Sequence, residues 1–319
     1  MQLTFIHRLS VLVLLATLSV ALPGCGSADS KESKKSNLPS EDAAGFNSYW
    51  YAGQAEITRY ELEQARYGEM RKGDAVLIFV TEDFLRDKQV KHEFGDAAQA
   101  VPVLKMNSVK KFYTGIYPYS IMTSVFTPVI TDKMGTLKVV SSSQEWCGQT
   151  FMQFNHRQQG FDVQVHSYFQ KEGDENFHLD DALLEDEVWT RIRLAPSNLP
   201  TGEVQIIPGQ LFSRLHHESV RIEKATAVLK TVKDSHLSNG DISVYDIDYQ
   251  NLERRLTIRF ETAFPHRILA WEEETRSGFG PKAKLMTTRA VKTHSLKTDY
   301  WSKNKLSDSH LREELGLVY

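Results

Sequence analysis

From Phe46 onward, apolar and polar residues alternate with a period of two in repeated runs broken by turns. Phe161, Val163, Val165 and Phe169 stand against Asp162, Gln164 and His166, and Leu256, Ile258 and Phe260 against Thr257, Arg259 and Glu261. Successive side chains of a strand point to opposite faces, so each run predicts a sheet with one wet face. The same pattern predicts strands over 54–63, 75–84, 103–112, 119–129, 136–142, 146–155 and 161–169. It predicts a second set over 203–207, 220–232, 242–249, 255–262, 266–274 and 284–293. Turn-forming residues at 71–74, 158–160, 238–241 and 250–253 separate apolar runs, as short hairpins require. One helix is expected over 181–194, with Asp180 as N-cap, Glu185, Asp186 and Glu187 early, Arg191 and Arg193 late, and Pro196 beyond. The expectation is a mainly β fold. It is a single large antiparallel meander, a curved sheet or half-open barrel, with one or two helices packed on it. Residues 46–319 read as a single domain without internal repeats, a boundary near Pro200 being the alternative.

The N-terminus departs from this pattern. Arg8 precedes an apolar run from Leu9 to Leu22, too short for the ~20 residues that span a bilayer but suited to a secretory signal. The run ends in Leu22-Pro23-Gly24-Cys25, which resembles the lipobox of bacterial lipoproteins. The resemblance implies removal of residues 1–24, a diacylglycerol thioether on Cys25 and acylation of its new amine, by palmitate or a similar chain. Pro23 stands where the family favours a small or β-branched residue. An ordinary secreted protein with an incidental cysteine is the alternative. Each buried methylene contributes about 0.8 kcal/mol, and two or more chains anchor stably where one does not. Residues 25–45 are polar, with little to bury, and are expected to be a disordered tether. As a coil the tether spans roughly 25 Å. By analogy with other lipoproteins, Gly26 favours the outer membrane, and the lack of a compact acidic cluster favours a periplasm-facing position.

Composition narrows the classes. Apolar residues make up 41% of the chain, enough for a real core. Cleavage removes Arg8 and no acid, so 38 basic residues become 37 against 41 acidic ones, a net charge of −4. A nucleic-acid partner is not expected at that charge. With Cys25 committed to lipid, Cys147 is left without an internal disulfide partner.

Candidate chemistry is sparse. Glu145-Trp146-Cys147-Gly148-Gln149-Thr150 resembles half of a thioredoxin motif, with Thr150 in place of the second cysteine. With the hairpin closed over 158–161, His166 falls opposite Gln153, roughly 20 Å along the strand from Cys147, and His156 lies roughly 30 Å away. Only His178, expected in a loop over 171–179, can fold back toward the thiol. His216 and His217, read on a strand, point to opposite faces and cannot share a metal ion. The acidic runs 185–187 and 272–274 read as solvated faces, with cation binding the lesser alternative. Gly278-Phe279-Gly280-Pro281-Lys282 reads as a connecting turn, since it lacks the Gly-Lys-Ser/Thr end of a phosphate loop. Tyr49, Trp50, Tyr51, Phe112, Tyr113, Tyr117, Tyr119 and Phe126 are expected to fill the core, lining a cleft being the alternative. No catalytic residue, cofactor or metal ligand is expected.

The segments 48–53, 62–68, 80–84, Thr114-Gly115-Ile116-Tyr117-Pro118-Tyr119-Ser120, 144–148 and 277–282 resemble a family of flavobacterial (Bacteroidota) lipoproteins without an assigned activity. The resemblance covers nearly all of the mature chain. Members often carry the label septum formation inhibitor Maf, which belongs to nucleotide pyrophosphatases with a Ser-x-x-Arg-Arg segment opening an α/β fold. This sequence has neither. A long meander with a helix against it is also similar to the half-open barrels of periplasmic lipoprotein carriers, an analogy of fold alone. The expected role is a non-catalytic envelope lipoprotein, held in the outer membrane through Cys25, that binds a protein partner or an apolar ligand such as a lipid. A structural subunit of an outer-membrane assembly and a thiol enzyme using Cys147 are the alternatives.

Overall fold

The computed structural model describes residues 43–130 and 135–317. The signal, the lipobox with Cys25, and most of the tether lie outside the described residues. A short helix, α1 (Ala43–Trp50), opens the fold where the pattern predicts none. It buries Phe46 and Trp50 in the main core. A meander follows: β1 (Ala55–Arg66), β2 (Glu69–Leu85), the two-residue β3 (Val90–Lys91), β4 (Ala100–Thr114), β5 (Tyr117–Pro128), β6 (Lys138–Glu145), β7 (Gly148–Arg157), β8 (Gly160–Ser167) and β9 (Asp174–Asp180). The chain then makes β10 (Leu183–Leu184), α2 (Glu185–Leu194), β11 (Gly202–Ile207) and α3 (Gln210–His216). A second meander completes it: β12 (Glu223–Lys233), β13 (Asp241–Tyr249), β14 (Arg254–Glu261), β15 (Ile268–Ser277) and β16 (Lys284–Thr298), with a last short helix α4 (His310–Glu314).

All sixteen strands belong to one sheet, and β16 pairing with β1 joins the two meanders. The sheet is mainly antiparallel and not closed, as the alternation predicts. Its outer strands are β9 and β10, yet only Asp181 and Ala182 separate them in sequence. Three Cα steps reach at most about 11 Å. The two edges therefore meet at one corner, and the sheet must be rolled. Helices α2 and α3 occupy its inner side: Thr190 of α2 bonds Thr127 of β5 at 2.6 Å, and Arg66 at the end of β1 donates to the Leu215 carbonyl of α3. Inward positions follow from register: Leu62, Leu77, Met106, Val125, Trp271 and Ile258 all face the core.

Several expectations are corrected here. Helix α2 begins at Glu185, not Asp181, because residues 183–184 pair in parallel with Ile206 and Ile207 before the helix starts. Leu184, not Asp180, precedes the first turn. Residues 71–74 are not a turn but the interior of β2, and the hairpin closes at Tyr67-Gly68, both with positive φ. The stretch 174–179 is not loop but strand β9. Trp50, Phe112 and Tyr119 are buried as expected, whereas Tyr51 and Tyr113 are exposed.

Gly73 has a packing role in place of a turn role. Across from Phe112, a Cβ on Gly73 would stand 2.2 Å from the Lys111 carbonyl oxygen and 2.8 Å from Phe112 Cβ. Strand glycines mark such close approaches of backbone. Gly73→Ala is expected to cost about 1–3 kcal/mol, the range for overpacking, read as a lower urea midpoint. An unchanged midpoint would remove this role.

Candidate functional site

The rolled interior is not uniformly apolar. On β14, Leu256, Ile258 and Phe260 face the core, and Arg254 continues that face at the strand's start. Its guanidinium is buried. Nη2 donates to Glu185 Oε1 at 2.7 Å and Nε donates to Glu273 Oε1 at 2.7 Å, while Phe212 of α3 lies under the plane at 4.1 Å. Nη1 and the Tyr249 hydroxyl both donate to Glu185 Oε2. Burial pushes the Glu273 carboxyl up, but Arg254 and Lys110 outweigh it and hold it below its ordinary value.

Lys110 reaches the same region from β4, and it is 7% exposed. Burial lowers its pKa, with Glu273 and Glu185 opposing. Among the described residues its ammonium has no ion-pair partner and stands 5.5 Å from the Trp271 ring centroid. Asp186, second in α2, accepts a hydrogen bond from the Gln210 amide at 2.9 Å. Burial raises its carboxyl from 3.8 to about 7, Gln210 opposes, and the neighbouring Glu185 charge adds to the rise. Trp271 is 2% exposed and its Nε1 has no hydrogen-bond partner among the described residues.

Lys110, Asp186, Trp189, Arg254, Trp271 and Glu273 line one cavity, with Ser108 and Thr123 on its wall. Its volume is about 50 Å³. Perturbed titratable groups converging on one cavity are a functional-site signature. The two acidic runs are thus not simply solvated faces. Glu185, Glu187 and Glu273 are buried, and Glu272 pairs with Arg259 and Arg289. Glu187 serves the fold, accepting from the Thr136 amide at 3.0 Å.

Asp186 has a measurable cost. Its folded value lies above 3.8, so its contribution to stability is full below pH 3.8 and is lost as pH rises through about 7. At 1.36 kcal/mol per unit the penalty above pH 7 is about 2–4 kcal/mol, allowing for partial solvation. Asp186→Asn keeps an acceptor for Gln210. It is expected to be more stable than wild type at pH 8 by that amount and close to it at pH 4, measured by urea unfolding. Equal stability at both pH values would refute the assignment.

The thiol lies elsewhere. Cys147 is exposed in the two-residue turn Trp146-Cys147 between β6 and β7, not on a strand. Its amide donates to Glu145 Oε2 at 2.7 Å, and Glu145, by hydrogen bond and charge, raises the thiol pKa. A raised pKa disfavours the nucleophilic thiolate. The β7–β8 turn is Gln158-Gln159, so His166 pairs with Phe151, not Gln153. That puts it four residues past the thiol, roughly 13 Å along the strand. His178 is on β9 beside Asp162 at 3.0 Å, and His156 bonds Asp181 at 2.8 Å, so neither turns toward Cys147. His216 and His217 are not on a strand but end α3. His216 stacks on Phe212, whereas His217 bonds Glu172. Burial pushes His216 down to about 4.

The signal that finds the cavity is present in the sequence. A charge falling on the apolar parity of a strand, Arg254 before Leu256 and Lys110 between Met106 and Phe112, marks an inward polar group. No protein-family model, curated protein or solved structure matches this chain, so its functional reading rests on these residues and this geometry.

Proposed function

We propose that this protein is a lipid-anchored envelope protein, held in the outer membrane through Cys25 and facing the periplasm, whose rolled sheet binds a ligand without catalysing its conversion. The observation that carries the reading is the internal cavity where buried Lys110 and half-buried Asp186 stand without ion-pair partners among the described residues. A core built for stability alone pairs its buried charges, as Arg254 does here. The charged wall favours a polar ligand over an acyl chain in this cavity. The thiol alternative draws no support from Cys147, whose pKa is raised. Addition of a strand from an assembly partner at β9 is opposed by Asp174, Glu175 and Asp180, charges that blunt an edge.

A second reading, a protein partner, has its own support. Tyr113, Ile116, Trp146, Tyr168 and Phe279 are exposed on or beside the β4–β5, β6–β7, β8–β9 and β15–β16 connections, which all close the same end of the sheet.

The test is intact mass and membrane partition of the full chain made in a diderm bacterium, wild type against Cys25→Ala, with small molecules extracted from the purified protein. Wild type is expected to carry added acyl mass and to fractionate with membrane, and the variant to lose both. Identical mass and partition would overturn the anchor.

A further inference from the structure

We infer that the cavity between α2, α3 and the inner wall of the sheet takes a small zwitterion, an α-amino acid with a short side chain, its carboxylate on Lys110 and Trp271 and its ammonium on Asp186. This rests on the binding reading above and names its ligand class.

The argument is one of charge and valence. Arg254 is saturated by Glu185 and Glu273, a trio with one surplus negative charge. Lys110 offsets that surplus through space without contacting either acid at ion-pair distance. Asp186 is then the surplus carboxyl, and the same cavity holds the Lys110 ammonium, without an ion-pair partner, and the Trp271 indole N–H, without a hydrogen-bond partner, among the described residues. A lone anion adds a second surplus negative charge beside Glu273 and Asp186, and a lone cation must sit among Lys110 and Arg254. A ligand of net zero charge carrying both groups pairs Lys110 and Asp186 and leaves the total unchanged. Buried charge is unfavourable when left unpaired, so the pairing favours binding.

Size and shape agree. At roughly 10–15 Å³ per water-sized sphere, the cavity holds on the order of four waters. That is close to the five heavy atoms of glycine. Leu211 and Trp189 supply apolar wall for a short side chain. Gly209 keeps the acidic side open, since a Cβ there would stand 2.5 Å from Glu185 Oε1 and 3.5 Å from Asp186 Oδ1.

The experiment is calorimetric titration of the full acylated chain in detergent with glycine, L-alanine, acetate, methylammonium and L-tryptophan, paired with mass spectrometry of the small molecules extracted from it. Glycine or L-alanine is expected to bind at least tenfold more tightly than acetate, methylammonium or L-tryptophan. Lys110→Met and Asp186→Asn are each expected to weaken that binding at least tenfold while unfolding cooperatively. Acetate binding as tightly as glycine would replace the zwitterion by an anion. If no probe binds folded wild type but another small molecule is extracted, the zwitterion fails and the binding reading stands. If no probe binds and nothing is extracted, the ligand-binding reading fails with it.

Discussion

Arg254→Met is expected to lose about 5 kcal/mol of stability, the upper end of the cost of breaking a buried ion pair, because two carboxylates lose the one cation that stands at ion-pair distance from them among the described residues. Glu185 is 6% exposed and Glu273 9%, so neither can recover its energy from water. For a domain of this size each kcal/mol moves Tm by about 2–4 °C, giving a fall of about 10–20 °C. The pH dependence that Glu273 contributes should change sign. In wild type Glu273 is held below its ordinary 4.5, so its contribution is present above pH 4.5 and lost as pH falls below it. Without Arg254 burial dominates and the carboxyls rise, so the variant's stability is greatest at low pH and is lost as pH rises. Thermal unfolding of both proteins at pH 5 and pH 8 tests this. Because Asp186 already costs the wild type stability over this interval, the variant's loss from pH 5 to pH 8 must exceed the wild type's, and an equal loss would show that the carboxylates find other cations.

The hub also explains which parts of the architecture are legible in the sequence. The clean alternation of 256–260 gives strand, face and depth together, because a half-buried strand repeats its burial every second residue. Extending the parity two residues back places Arg254 inside. The partners are not legible that way. Glu273 sits in an acidic triplet whose outer members face outward, and only the register against β14 and β16 singles it out. Glu185 and Asp186 carry the helix-start signature, which describes a solvated first turn equally well. Their place against the inner wall follows from a long-range event, the crossover that feeds α2 between parallel β10 and β11 into the rolled interior. The two-residue link from β9 to β10 is likewise visible only once the strand order is known. Turn chemistry misleads at Gly73 for a related reason: glycine signals a bend, and here it signals a neighbouring backbone.

At the other end of α2, Glu56→Ala is expected to cost about 3–5 kcal/mol. Arg193 Nη1 and Nη2 donate to Glu56 Oε1 and Oε2 at 2.6 and 2.7 Å, and Arg193 Nε donates to the Pro265 carbonyl at 2.9 Å. The Phe79 ring centroid lies 4.6 Å from the guanidinium carbon and that of Trp50 4.9 Å, so a stranded Arg193 has aromatic faces but no other ion-pair partner among the described residues. Burial raises the Glu56 carboxyl, yet Arg193 overrides it and holds it at about 2, from 4.5. The stability this supplies, about 3 kcal/mol at 1.36 per unit, is full above pH 4.5 and is lost as pH falls through 2. Replacing both partners by apolar residues, Glu56→Leu with Arg193→Met, removes the stranded charge as well as the pair. The double variant should recover at least 2 kcal/mol over Glu56→Ala and should show a flatter acid limb between pH 4.5 and 2 in urea titrations. Strictly additive single-variant effects would show that the pair is not coupled. The ion pair joins β1 to the C-terminal end of α2, as Arg254 joins β14 and β15 to its N-terminal end, so one helix is clamped to the inner wall by opposite charges at both ends. That clamp fixes where Asp186 stands relative to Lys110. A double variant that keeps its stability but loosens the helix should weaken ligand binding without unfolding, separating the clamp's role in the cavity from its role in the fold.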